Sequence, residues 1–299
     1  MSLPTATLGR TGAEVTKLGY GAMELRSSRL EPAAADAILN AVLDSGINMI
    51  DTSPDYGASE EHIGRAISHR RDEYFLASKC GCPVGELPPR SEGRPEHVFT
   101  RENVRAGVEQ SLRRMKTDHV DLVQFHISPS PTTLADNDSI AELVALRDEG
   151  KIRFLGMSGT LPHLTDHIAM GVFDAFQIPY SAVEREHEDA ITAAAAAGSG
   201  TIIRGGVARG MPEPRPELPE EYKKMLEARR ERFEKTDLSD LLGDMTPMEF
   251  MLRFTISHPG MHTTIVGTKN PDHLAANVAA AEKGPLPADL YEAAKQRFS

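Results

Sequence analysis

The sequence predicts a closed (β/α)8 barrel. Short apolar runs alternate with amphipathic stretches along the chain, eight strand-like runs follow one another from Leu18 onward, and 299 residues suit a fold that takes roughly 250 as one domain. Open doubly wound sheets share the alternation, but no G-x-G-x-x-G follows the early strands. Residues 1–299 are therefore read as a single barrel domain.

The elements are read in order. Thr7 to Arg10 and Glu14 to Lys17 flank Thr11-Gly12 and predict a β-hairpin before the barrel. Leu18 to Gly21 is the first barrel strand. Pro32 to Ser45 is a helix that starts on Pro and stops before Gly46. Strands follow at Ile47 to Asp51, Tyr74 to Lys79, His119 to His126, Ile152 to Ser158, Ala175 to Ile178, Thr201 to Arg204 and Thr263 to Gly267. Helices are expected at Glu60 to Ser68, Arg101 to Met115, Ser139 to Glu149, Leu161 to Met170, Glu186 to Ala197, Thr246 to Ser257 and Pro271 to Glu282. Val104, Val108, Leu112 and Met115 form one apolar helix face. Residues 83–99 and 211–244, rich in Pro and charge, read as long loops.

Composition narrows the partners. A net charge of −11 without a Lys/Arg-rich run argues against nucleic-acid binding. No apolar run reaches the ~20 residues that span a bilayer. No signal peptide precedes the chain, so the cytoplasm is expected, with a monomer as the default state. Cys80 and Cys82 sit too close for an ordinary disulfide, and no further ligands stand at metal-binding spacing beside them, so no metal is expected. The chain has no Trp, which excludes an indole-lined substrate pocket.

Barrel enzymes work at the C-terminal ends of their strands. Asp51, Lys79 and His126 end three successive strands, and Tyr56 follows Asp51 on its loop. Each alone has an ordinary reading: a helix cap, a surface charge, a satisfied polar group, a rim aromatic. Together on adjacent strand ends they suit proton transfer to an oxygen. A Lys ammonium lowers a neighbouring phenol's pKa, a carboxylate orients the Lys, and a His donates to a carbonyl oxygen. None is a hydride donor, so reduction would need a cofactor.

In these residues the chain resembles the aldo-keto reductase family over nearly its whole length. Leu18-Gly19-Tyr20-Gly21, Asp51-Thr52-Ser53-Pro54-Asp55-Tyr56-Gly57, Ser78-Lys79 and Ser111-Leu112 through Asp121-Leu122 to His126 match its motifs in order. The resemblance implies Tyr56 as general acid, Lys79 as the group that tunes it, Asp51 paired to Lys79, and His126 orienting a carbonyl. It also implies a cofactor that binds before the carbonyl compound. Gly21, Met23, Asp51, Ser158, Gln177, Arg204, Gly205, Gly206, Val207, Gly210, Gly267, Lys269, His273 and Asn277 fall at cofactor-binding positions. Departures are concentrated there: Gly159 stands for an Asn, Arg204 for a Tyr, His273 for Arg or Gln, and Ala276 for a Glu. NADPH is the cofactor expected, with NADH possible, and Lys269 is placed to meet the 2′-phosphate. The expected reaction reduces an aldehyde or ketone. Two alternatives stay open: a Schiff-base aldolase using Lys79, and a slow cofactor-binding redox-sensing subunit.

Overall fold

Every residue of Phe75–Cys80 and of Val120–Phe125 is buried. Strands with both faces covered read as continuous apolar runs, which is how the sequence shows them. The computed structural model describes residues 2–27, 30–85, 96–207, 220–236 and 238–298. Its eight parallel strands are β3 (Leu18–Gly21), β4 (Met49–Asp51), β5 (Phe75–Cys80), β6 (Val120–Phe125), β7 (Ile152–Ser158), β8 (Ala175–Pro179), β9 (Gly200–Arg204) and β10 (Thr263–Val266). They pair in sequence order, and β10 pairs with both β9 and β3, closing the barrel.

Ten helices among the described residues connect or follow the barrel strands in chain order: α1 (Pro32–Asp44), α2 (Ser59–Ala66), α3 (Arg101–Met115), α4 (Pro131–Asp136), α5 (Ser139–Asp148), α6 (Leu164–Met170), α7 (Glu188–Ala196), α8 (Glu220–Lys235), α9 (Ser239–Leu242) and α10 (Pro247–Ile256). α11 (Pro271–Glu282) and α12 (Ala288–Arg297) complete the chain's helices. Starts are set by local chemistry. Thr100, Thr246 and Asn270 each accept a backbone N–H of the following turn, and Pro247 and Pro271 occupy first-turn positions where no N–H is needed.

Two apolar layers result. The larger lies between strands and helices and includes Leu76, Val123, Leu155 and Ile203. The smaller fills the barrel interior with Met49, Phe75, Ala77, Leu122, Ala175 and Ile202. The hairpin β1 (Thr5–Thr7) and β2 (Glu14–Thr16) closes the barrel from below, placing Leu8 and Val15 in that interior layer. Leu8 fits because position 200 is glycine: a Cβ there would lie 2.7 Å from Leu8 Cγ.

Several sequence expectations need correction. The hairpin's first strand ends at Thr7, and Gly9–Thr11 forms a 3-10 turn, with Gly9 at φ 50° against the Gly198–Gly200 backbone. The stretch read as a loop over 211–244 contains α8, stabilised by the pairs Arg230–Glu234 and Lys235–Glu231 one turn apart. Helices α4 and α12 were not foreseen. Of the loop read over 83–99, residues 86–95 lie outside the described residues.

Candidate active site

Strand periodicity builds the site. Side chains two residues apart along a strand share a face, so the positions two beyond the interior apolar layer continue upward into the barrel mouth. Met49 leads to Asp51, Ala77 to Lys79, Leu122 to Gln124 and then His126. On the far side, Gly156 leads to Ser158, Ala175 to Gln177 and Ile202 to Arg204. The register confirms the neighbours: Lys79 lies opposite Gln124, and Ser158 opposite Gln177.

At the centre is a buried ion pair. Lys79 Nζ donates to Asp51 Oδ1 at 2.9 Å and Oδ2 at 2.8 Å, and to the Thr52 carbonyl at 2.8 Å, with both side chains at most 1% exposed. Gln124 Nε2 and Gln177 Nε2 also donate to Asp51 Oδ1, at 3.1 and 2.8 Å. Ser158 Oγ donates to Gln177 Oε1 at 3.3 Å, so a chain of polar groups runs from β7 to the ion pair. Burial opposes the Lys79 charge, but Asp51 and Tyr56 outweigh it and raise its pKa, so Lys79 is an ammonium.

Tyr56 comes close because Gly57 turns the chain sharply after it. Gly57 has φ 50°, and a Cβ there would sit 2.3 Å from the Arg26 carbonyl oxygen. The Tyr56 ring centroid is 5.0 Å from Lys79 Nζ. Lys79 and Arg204 pull its pKa down, as the sequence suggested for Lys79, but burial, aided by Asp51, raises it more. Tyr56 is therefore a protonated phenol, not a phenolate. His126 lies edge-on to Tyr56 with ring centroids 6.4 Å apart. Burial lowers its pKa to about 4, so it is a neutral imidazole near pH 7.

The structure thus brings Asp51, Tyr56, Lys79 and His126 into one cluster and adds groups that sequence reading missed. Gln124 was passed over although the spacing Leu122-Gln124-His126 places it on the interior face. Asp55, Cys82 and His97 surround His126 but are scattered along the sequence. No spacing in the chain announced them as ligands beside Cys82; the fold gathers them.

The expected cofactor positions divide. Gly21 is buried, and Met23 is half-buried on a 3-10 turn after β3. Arg204, half-buried at the end of β9, sits within electrostatic reach of Tyr56. Gly205 has φ 74°. Gly206 has a packing reason: a Cβ there would lie 2.7 Å from Thr264 Oγ1, and its carbonyl accepts from Thr255 Oγ1 at 2.8 Å. Val207 is buried, and Gly210 lies outside the described residues. Gly267, Lys269 and His273 are exposed around the start of α11, with Asn277 half-buried one turn on. Asn270 caps that helix, its side chain accepting the Asp272 N–H at 2.9 Å.

An eight-stranded parallel barrel with a buried Asp–Lys pair, a phenol and an imidazole at the C-terminal strand ends defines a barrel enzyme site. Residues 17–296 match the model of the Aldo/keto reductase family, and the chain belongs to that family. Its members are oxidoreductases that use NAD(P)H. An uncharacterized oxidoreductase of Bacillus subtilis (strain 168) is 26% identical over 294 residues, covering 92% of this chain and 90% of that protein. An aldo-keto reductase from Bacillus halodurans in its holo form superposes with a TM-score of 0.81 at 27% identity, covering 99% and 96% of the two chains. A putative aldo-keto reductase from Pseudomonas aeruginosa gives 0.73 at 29% identity, covering 93% and 94%. Among the described residues no helix is long and apolar enough to cross a membrane.

Proposed function

We propose that the chain reduces an aldehyde or ketone to an alcohol, with NADPH as hydride source and Tyr56 as proton donor. The observation that carries this reading is the half-buried Tyr56 phenol set 5.0 Å from the Lys79 ammonium, which Asp51 holds at two oxygens.

A dihydronicotinamide held at these residues would supply the hydride that the carbonyl carbon takes up. The carbonyl oxygen becomes an alkoxide, far more basic than a phenolate, and takes the Tyr56 proton even though burial holds that phenol above its ordinary value. Lys79 and Arg204 stabilise the phenolate left behind. Neutral His126 donates a hydrogen bond to the carbonyl oxygen and aims it.

The residues present fit the cofactor. A Cβ on Gly267 would meet the Gly21 carbonyl oxygen at 2.5 Å, so glycine there lets the backbones after β3 and β10 come together at the rim where the cofactor would lie. Ser158 and Gln177 would meet the carboxamide, with Met23 beside the ring. Arg204, Gly205, Gly206 and Val207 would meet the pyrophosphate region. Lys269, His273 and Asn277 would take the adenosine end, Lys269 meeting the 2′-phosphate that favours NADPH over NADH.

The aldolase alternative is disfavoured by one observation. Lys79 gives all three ammonium protons to Asp51 and Thr52 and has a raised pKa, so it lacks the free amine a Schiff base needs.

Tyr56→Phe should lower carbonyl-dependent NADPH oxidation by about 10²–10⁴-fold while leaving NADPH binding nearly unchanged. Wild-type turnover in that variant refutes the mechanism. A panel of small aldehydes, sugars and ketones identifies the substrate class, and Lys269→Met should weaken NADPH without weakening NADH.

A further inference from the structure

We propose that Asp55, Cys82, His97 and His126 form a binding site for a zinc-like divalent transition metal beside the catalytic cluster. The proposal stands apart from carbonyl reduction and does not need it.

One ligand atom from each of the four lies within 4.8 Å of all the others. His97 Nε2 is 3.1 Å from His126 Nδ1 and 3.1 Å from Asp55 Oδ2. His126 Nδ1 is 3.4 Å from Asp55 Oδ2 and 3.3 Å from Cys82 Sγ. Zinc–nitrogen and zinc–sulfur bonds of ordinary length place tetrahedral ligands about 3.3–3.6 Å apart. These four separations are close to the edges of such a tetrahedron, and the other two pairs lie within 4.8 Å.

Without a cation, His97 Nε2–H can donate to Asp55 Oδ2 and the Cys82 thiol to His126 Nδ1, which leaves the His126 Nδ1 and Asp55 Oδ2 acceptors 3.4 Å apart. In addition, Asp55 Oδ1 is a buried oxygen with no hydrogen-bond partner. A single cation would meet one lone pair from each of the four side chains. The thiolate and carboxylate would neutralise its two charges, and a sulfur–imidazole set selects zinc-like ions over magnesium or calcium. The neighbouring Lys79 charge is already matched by Asp51.

The donors are held in place. Val98 N–H donates to the Gly81 carbonyl at 2.8 Å, and Asn103 Nδ2 donates to the Cys82 carbonyl at 3.1 Å and the Val98 carbonyl at 2.7 Å. These bonds fix Cys82 and His97 on either side of the connection between β5 and α3. Ser53 Oγ lies 3.6 Å from Cys82 Sγ and supports a thiolate. Binding would release the Cys82 thiol proton to solvent. Ligation through Nδ1 would leave the His126 proton on Nε2.

The test uses the full-length chain, stripped with a chelator and titrated with zinc by calorimetry and with cobalt(II) by absorption. One-to-one binding is expected, with a thiolate-to-cobalt charge-transfer band. Cys82→Ser and His97→Ala should each weaken zinc binding by at least about tenfold, the scale that even indirect metal partners reach. Cys80→Ser, which alters a buried cysteine outside the cluster, should leave binding unchanged. If Cys82→Ser does not fold, His97→Ala carries the test. Absent or non-stoichiometric binding, a cobalt complex without the thiolate band, or binding undiminished in the folded variants overturns the proposal.

Discussion

Removing both partners of the buried Asp51–Lys79 pair should cost clearly less than the sum of removing each alone. Lys79→Met keeps the stem but deletes an ammonium that makes three hydrogen bonds. Asp51 Oδ1 keeps Gln124 and Gln177, yet Oδ2 and the Thr52 carbonyl lose their donor. A carboxylate at 1% exposure is then left without its counter-charge. Breaking such a pair costs about 3–5 kcal/mol. Asp51→Asn leaves an equally uncompensated ammonium and should cost a similar amount. The double variant buries no charge, and an Asn oxygen can still accept from both glutamines. Its cost should therefore fall short of the sum of the singles by roughly 3 kcal/mol, the upper end for residues in one network. Urea unfolding of all four proteins, compared at constant m-value, measures the cycle. Single costs below about 1 kcal/mol, or a double cost equal to the sum, would refute the view that this pair is a tightly coupled unit.

Other outcomes follow from neighbouring features. Gly57→Ala forces a Cβ toward the Arg26 carbonyl at a positive φ. It should destabilise by at least about 1–2 kcal/mol and shift Tyr56, so an unchanged melting temperature would contradict the assigned turn. Glu149 is held down to about 2, first by its hydrogen bond from Arg105 and then by Lys151. Because its folded pKa lies below the unfolded value of about 4.3, its contribution is complete above that pH and fades as pH falls toward 2. A carboxyl NMR titration with an inflection near 4 would show that these pairs do not form in solution.

The barrel was legible because each strand carries a bounded apolar run, and the helices between them keep an apolar face. The ends of those runs then located Asp51, Lys79 and His126 at the mouth. What stayed hidden has physical causes. Helix α8 lies in a Pro-rich, charged stretch and is polar enough to read as loop, so its i,i+4 pairs, not an apolar face, mark it. Gln124 was hidden by familiarity, since a Gln inside a strand reads as incidental until its partner is known. Gly206 falls at a cofactor-binding position, and the sequence does not show that Thr255 and Thr264 on other elements also require its small size. The cluster around His126 draws on three separate connections, and no local pattern in a chain records such a meeting.

The floor of the barrel has a consequence for synthesis. The hairpin that closes it is made before the elements it packs against, and its partners come late. Arg10 donates to the Gly171 and Ala197 carbonyls, Leu8 seats beneath Gly200, and the Thr16 carbonyl accepts from Thr263 Oγ1. Leu8 and Val15 therefore wait, with greasy surface bared, until β9 and β10 have emerged from the ribosome. Pairing across so wide a span of sequence makes closure a late event. A nascent chain stalled before residue 200 is the form of this protein most in need of a chaperone.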